Sequence, residues 1–102
     1  MSDNRRSSTR HDIEVAAHLT IKGQTHDTTI RNLSLGGASL SFALRVPMGA
    51  RVTLRFQVPT LEEPIEVQTT VRWSTETGIG LQFDGLRARD VYALGKYFDT
   101  LG

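Results

Sequence analysis

The stretch "IEVAAHLTIK", residues 13–22, alternates apolar and polar side chains over most of its length. Successive side chains of a β-strand point to opposite faces, so a period of two predicts a strand with one buried face. That buried face is predicted to carry Ile13, Val15, Ala17, Leu19 and Ile21.

The same alternation recurs in five later segments. After a turn at Gly23–Gln24, the second strand is the least clearly patterned and runs from about Thr25 to Leu33. Six short strands expose their edges and one apolar face if the sheet stays open. We therefore predict an all-β fold, a six-stranded antiparallel β-barrel. The other four strands are predicted at Ala38–Leu44, Val52–Val58, Ile65–Trp73 and Ile79–Phe83.

The last residues change period and predict a C-terminal α-helix that covers one mouth of the barrel. Asp84 or Gly85 is predicted to cap its start. The chain is thus expected to form one domain, with an N-terminal arm over residues 1–11, the barrel over 12–84 and the helix over 85–102. The helix is expected to bury Leu86, Val91, Leu94, Phe98 and Leu101, and its aromatic residues Tyr92, Tyr97 and Phe98 are expected to pack in this lid.

Composition narrows the class of protein. The chain has 102 residues, 38% of them hydrophobic and 23% charged, which is typical of a single globular domain. No apolar run suits a membrane helix or a secretory signal, so we expect a cytoplasmic protein with no membrane partner. The absence of cysteine excludes disulfides and thiolate metal sites. A net charge of +1 argues against a general nucleic-acid binder.

The segment "RNLSLGG", residues 31–37, interrupts the alternation. If the strand continues, Asn32 and Ser34 share the barrel exterior while Leu33 and Leu35 face the core. Gly36 and Gly37 would permit a positive φ and let a flat ligand approach the backbone. An amide beside a hydroxyl suits the edge of a purine base, but Asn, Ser and Gly are also the commonest turn residues, and taken alone the segment favours a plain turn.

The segment "RRSSTR", residues 5–10, places Arg5, Arg6 and Arg10 before the first strand. Such an arm is either a solvated tail or a clamp for an anion. Arginine pairs with the O6 and N7 atoms of guanine, stacks on base faces and binds phosphate, so the second role fits a guanine nucleotide.

Together the two segments resemble the PilZ domain family. "RSSTR", residues 6–10, matches the RxxxR motif of that family, and "NLSLGG", residues 32–37, matches its [D/N]xSxxG motif, in the same order and about twenty residues apart. Strand sequences "MGARVTLRF", "VQTTVRW" and "GIGLQF" extend the resemblance through nearly the whole chain. The resemblance implies a stand-alone receptor for cyclic di-GMP.

The resemblance also implies residue roles. Arg6 and Arg10 would meet the phosphates and guanines, Asn32 and Ser34 would hydrogen-bond one guanine, and Gly37 would give the turn room. The motif leaves Gly36 free and does not require Arg5, although both are included in the candidate site. The family often has Asp where this chain has Asn32, and the residues near His11 and Asp12 either touch the ligand or only lead into the strand.

The mechanism that we expect is ordering of the arm on ligand binding, with the signal passed by contact to a downstream protein. We expect no enzyme activity, metal or cofactor, because no nucleophile motif is present and His11, His18 and His26 lack metal-ligand spacing. Two alternatives stay open: a PilZ-like adaptor that binds only protein, and a small barrel that binds single-stranded nucleic acid through Arg51, Arg55 and Arg72. Trp73 is expected to pack in the core or at the rim, or to stack on a base.

Overall fold

The computed structural model describes residues 9–101 and contains six strands followed by one helix. The strands close into a barrel in the order β1-β2-β3-β6-β5-β4, with β4 pairing back onto β1, and every pairing is antiparallel. The predicted six-stranded barrel with a C-terminal helix is therefore confirmed. The elements are β1 His11–Ile21, β2 Gln24–Leu33, β3 Gly37–Ser41, β4 Arg51–Phe56, β5 Ile65–Ser74, β6 Gly78–Phe83 and α1 Ala88–Thr100.

The barrel interior is filled by the apolar residues of the predicted alternation. Leu19, Leu54, Ile65 and Ile79 are completely buried, one from each of four strands. Inward-facing side chains of a small barrel fill its interior, so these residues form a packed core. The third strand is shorter than predicted, because it ends at Ser41 and leaves Leu44 53% exposed in the following loop.

Three irregularities interrupt the strand pairing. The register shifts between Asp12 and Val15 in β1, between Ile30 and Asn32 in β2, and between Val71 and Trp73 in β5. A β-bulge adds a residue to one strand and turns the following side chains to the other face. The bulge at Arg31 accounts for the weak pattern of the second strand, because Ile30 and Leu33 both face the core although they are three residues apart.

Helix α1 covers the end of the barrel at which β1 begins. Leu94 and Tyr97 join the core, and the His11 ring stacks on the Phe98 ring with centroids 4.2 Å apart. The predicted helix face was only partly right. Leu94 is buried, and Leu86 and Phe98 pack against the core, but Val91 and Leu101 are 40% and 42% exposed. Tyr92, expected in the lid, is 67% exposed with the Lys96 ammonium over its ring.

The inner face of the helix differs from the predicted one, because it includes a carboxylate in the first turn. Asp90 is 1% exposed and forms ion pairs with Arg87 and Arg89, both at 3.3 Å or less. Arg89 also bonds to Glu63, and that hydrogen bond raises the pKa of Arg89 above its ordinary value. These partners compensate the burial of the carboxylate, and Asp90 shares the inner face with Ala93, Leu94 and Tyr97.

The predicted helix cap was also wrong. Residue Arg87 occupies the N-cap position without a side-chain hydrogen bond. The Asp84 carboxylate is engaged elsewhere, because it accepts a hydrogen bond from Thr70 at 2.8 Å and pairs with Arg51 at 2.7 Å.

Gly37 begins β3 at a place where two backbones approach closely. A Cβ atom on Gly37 would lie 2.2 Å from the carbonyl oxygen of Leu81 in β6, whereas a Cβ on Gly36 would meet nothing nearer than the Ser34 Oγ at 3.9 Å. The positive φ suggested for these two glycines is not found, since within residues 9–101 only Lys22, Gly23 and Gly49 adopt one. Gly37 is required by the packing of β3 on β6.

This difference predicts the outcome of two substitutions. Gly37→Ala should lower the free energy of unfolding by about 1–3 kcal/mol, because the methyl group must displace backbone. Gly36→Ala, one residue away, should change it by less than about 0.5 kcal/mol. Urea unfolding followed by circular dichroism measures both, and equal stabilities of the two variants would contradict the packing argument.

Candidate functional site

The outer surface of β3 and β6 forms a shallow floor. Outward positions on these two neighbouring strands carry small residues, and the register pairs Gly80 with Ser39 and Gly78 with Ser41. Side chains of Ile79 and Leu81 face the core instead. The Trp73 indole covers Gly78 and Gly80, and Gln82 stands opposite Gly37. The small residues Gly36, Gly37 and Ser39 border the part of this surface that stays open, where a planar ligand is able to approach the backbone.

The indole ring of Trp73 packs on one side of this surface. Strand alternation places it with the inward residues, but the bulge at Arg72 turns it outward, opposite Gly80. Its ring lies directly on Gly80, where a Cβ would be 2.1 Å from the indole Nε1, and it remains 46% exposed. The structure thus places Trp73 on the barrel exterior at the rim. The signal that sequence reasoning missed is "GIG", two glycines spaced to lie under one aromatic ring.

The motif segment between β2 and β3 is a tight turn. The Ser34 N–H donates to the Gly37 carbonyl at 2.9 Å, and the Ser34 Oγ accepts from the N–H groups of Gly36 and Gly37 at 3.1 and 3.2 Å. Ser34 is 2% exposed, so the prediction that its hydroxyl projects outward beside Asn32 was wrong, and the hydroxyl lies within the turn instead. The strand ends at Leu33, so the alternation on which the prediction relied does not extend to Ser34.

Arg10 connects the two motif segments. Its Nη1 donates to the Asn32 Oδ1 at 2.8 Å, and the Asn32 Nδ2 donates to the Asp12 Oδ1 at 2.9 Å. Asp12 and Asn32 are directly opposite each other in the pairing of β1 with β2. The cross-strand pairing with Asp12 and two side-chain hydrogen bonds therefore hold the Asn32 amide in place.

These elements border a cleft of about 450 Å³ on the barrel exterior, within the size range of small-ligand sites. Two cationic side chains border it, Arg10 from the start of the chain and Arg72 from the bulge in β5. Within residues 9–101, no carboxylate lines this cleft and Arg72 forms no ion pair. The electrostatic character of the cleft suits an anion. Its lining also includes Ser34, Gly36, Gly37, Ser39, Trp73, Gly80 and Gln82.

The candidate residues proposed from the sequence fall into three groups. Arg10, Gly36, Gly37 and Ser34 line the cleft, and Asn32 is joined to it through Arg10. Arg5 and Arg6 lie outside the described residues. Arg72 and Asp12 were not in the candidate set, because an exposed cation at a bulge and an acid at a strand start carry no motif.

The three arginines considered for binding single-stranded nucleic acid lie in different surroundings on the barrel. Arg51 is paired with Asp84 at 2.7 Å, Arg55 borders a different cleft with His18, and Arg72 belongs to the cleft described above. The His18 Nδ1 is itself 3.0 Å from the Asp27 Oδ1 on the surface.

Among the described residues, no helix has the length and apolar character needed to cross a lipid bilayer.

Comparison with solved structures shows the same fold. The chain is similar to the Bacillus subtilis inhibitor of motility MotI/DgrA, with a TM-score of 0.77 and 22% identity over 93% of this chain. It is similar to Borreliella burgdorferi PlzA in complex with c-di-GMP, with a TM-score of 0.66 and 20% identity over 96% of this chain. It is also similar to the PilZ domain of CeSA from a cellulose-synthesizing bacterium, with a TM-score of 0.71 and 12% identity over 91% of this chain and 98% of that one.

The matched regions differ in how much of each relative they cover. The chain spans about half of MotI/DgrA (52%) and just over a third of PlzA (37%). A search of curated protein sequences found no significant match. A family model described as "PilZ domain" matches residues 4–99, which is nearly the whole chain. The chain therefore belongs to the PilZ domain family.

Proposed function

We propose that the cleft bordered by Arg10, Trp73 and the β2–β3 turn binds cyclic di-GMP. The observation that carries the proposal is the 2.8 Å hydrogen bond between Arg10 and Asn32. It joins one residue of each motif at the edge of a cleft whose described lining contains two arginines and no carboxylate. The PlzA structure, solved with c-di-GMP, supports the same ligand class for this fold.

The chemistry of the cleft matches the parts of a cyclic dinucleotide. Guanidinium groups bind phosphate oxygens and guanine edges through paired N–H donors, so Arg10 and Arg72 complement the anionic ring. The Asn32 amide offers a polar contact to a base edge. An indole ring supports base stacking, and Trp73 presents its exposed part at the cleft.

Ser34 is expected to act mainly through the turn. Its hydroxyl already accepts two backbone N–H groups, so it shapes the loop that carries Gly36 and Gly37. Asn32 lies in β2, separated from the turn only by Leu33. We expect its amide to make the principal polar contact with guanine.

The proposed signal is a change of surface around the ligand. Arg6 belongs to the same RxxxR motif as Arg10, and we expect it to contact the ligand from the segment that precedes β1. Closure of that segment over the cleft would bury the dinucleotide and create a new surface for a downstream protein. A receptor of this kind acts through binding, without chemical turnover, and we expect it to act in the cytoplasm.

Arg10→Ala should weaken binding of cyclic di-GMP by about ten- to a hundredfold, which corresponds to the loss of roughly 1–3 kcal/mol for a paired arginine contact. Isothermal titration calorimetry with the purified protein measures the dissociation constant.

Arg55→Ala is the matched control. It removes the same charge from an exposed position on β4 that borders another cleft, so its affinity should equal that of the wild type. Undiminished binding by Arg10→Ala, or equal losses in both variants, would contradict the proposed site.

Trp73 provides an independent optical test, because it is the only tryptophan in the chain. Stacking of a guanine on the exposed indole should quench its fluorescence, and saturation should occur at the concentration that calorimetry gives. Trp73→Ala should cost about 1–3 kcal/mol of binding free energy, whereas Trp73→Phe should retain part of the affinity. Emission that stays constant while calorimetry reports binding would place the ligand elsewhere.

A further inference from the structure

We infer that Asp12 is a positioning residue that holds the oxygen of the Asn32 amide toward the ligand and thereby favours guanine, an inference that rests on the proposed cyclic di-GMP site. Neither motif contains Asp12, and the sequence leaves open whether the residues near it touch the ligand or only lead into the strand. The inference follows from the hydrogen-bond pattern around that amide.

The chemistry of the neighbours determines which way the amide points. A guanidinium only donates hydrogen bonds, and an ionised carboxylate only accepts them. The Asn32 Oδ1 accepts from the Arg10 Nη1 at 2.8 Å, and the Asn32 Nδ2 donates to the Asp12 Oδ1 at 2.9 Å. Both hydrogen bonds form in this orientation of the amide alone. Rotation by half a turn would set the NH₂ group against the guanidinium and the oxygen against the carboxylate, so both bonds would be lost.

The sheet supports this arrangement. Asp12 and Asn32 are paired across β1 and β2, so backbone hydrogen bonding sets the distance between their side chains. The bulge begins immediately after Asp12, which separates this pair from the regular alternation of β1. The carboxylate remains exposed, so it keeps most of its hydration while it orients the amide.

An Asn32 amide oxygen that is fixed in direction favours guanine over adenine. A carbonyl oxygen has two acceptor sites, and within residues 9–101 Arg10 occupies one of those on Asn32. The Watson–Crick edge of guanine presents two neighbouring donors, N1–H and the N2 amino group. Adenine presents one amino donor beside the N1 acceptor, which an amide free to rotate would satisfy equally well. Asp12 thus makes a neutral asparagine act as a fixed acceptor.

Charge alone predicts the opposite effect of removing Asp12. An acid next to Arg10 repels an anionic ligand, so Asp12→Ala should strengthen binding if the carboxylate acts only through its charge. If it positions Asn32, the same substitution should weaken binding and reduce the preference for guanine. The sign of the change therefore separates the two roles.

The test measures dissociation constants of cyclic di-GMP and cyclic di-AMP by calorimetry for the wild type, Asp12→Ala and Glu14→Ala. Glu14 is the matched control, because it is an exposed acid on the same strand that pairs with Arg31 at 3.5 Å and has no contact with Asn32. Asp12→Ala should bind cyclic di-GMP roughly two- to tenfold more weakly, the value of one hydrogen bond, with a smaller ratio between the two ligands. Glu14→Ala should leave that ratio unchanged.

An exchange variant provides the rescue. Asp12→Asn with Asn32→Asp restores a donor amide at position 12 and a held acceptor at position 32, so it should recover most of the affinity and the guanine preference. Thermal melting of each variant verifies the fold.

The outcomes distinguish the two proposals. Wild-type protein that ignores cyclic di-GMP would overturn the proposed function itself and this inference with it. Wild-type binding with an Asp12→Ala variant that binds as tightly or more tightly, at an unchanged ratio, would overturn only the role of Asp12.

Discussion

The close approach of β3 to β6 at Gly37 determines where a site is able to form. The backbone of Leu81 leaves no room for a side chain there, and the β2–β3 turn is tied to the same strand because the Phe83 N–H donates to the Gly36 carbonyl at 2.9 Å. Most outward positions nearby are glycine or serine, so the outer surface of these two strands carries few side chains of its own, and the Trp73 indole packs over Gly78 and Gly80. The arginines, the indole and the amide of the cleft all gather around this surface.

Much of the fold was predictable from the sequence, because a barrel interior imposes a strict period of two. Apolar residues such as Leu19 and Leu54 follow that period and are fully buried. The period breaks at two places in the site. The bulge at Arg72 turns Trp73 to the rim, one of the positions left open for it, and the end of β2 at Leu33 leaves Ser34 buried in the turn, against the prediction. The bulges at Arg31 and Arg72 both lie between strands that follow each other in the chain, β2 with β3 and β5 with β6, and the extra residue is evident only from the register of their pairing.

The helix illustrates the same limit in different physical terms. Its apolar spacing correctly indicated a helix, but the inner face also contains the buried carboxylate of Asp90, which is paired with Arg87 and Arg89. The partners of this carboxylate lie on the same turn, while Glu63 anchors Arg89 from the β4–β5 loop. For the site, motif spacing brought Arg10 and Asn32 together as candidates, whereas the contribution of Asp12 depends on a cross-strand pairing that only the structure shows.

The central claim is that cyclic di-GMP binds on the outside of the barrel across β3 and β6. A titration of ¹⁵N-labelled protein followed by backbone amide NMR shifts tests it most directly. The account predicts shifts concentrated at residues 10–12, 32–39, 72–73 and 80–82, with little change at the opposite end around His26, Phe42 and Thr77, which border a separate cleft. Shifts confined to that opposite end, or none at saturating dinucleotide, would contradict it.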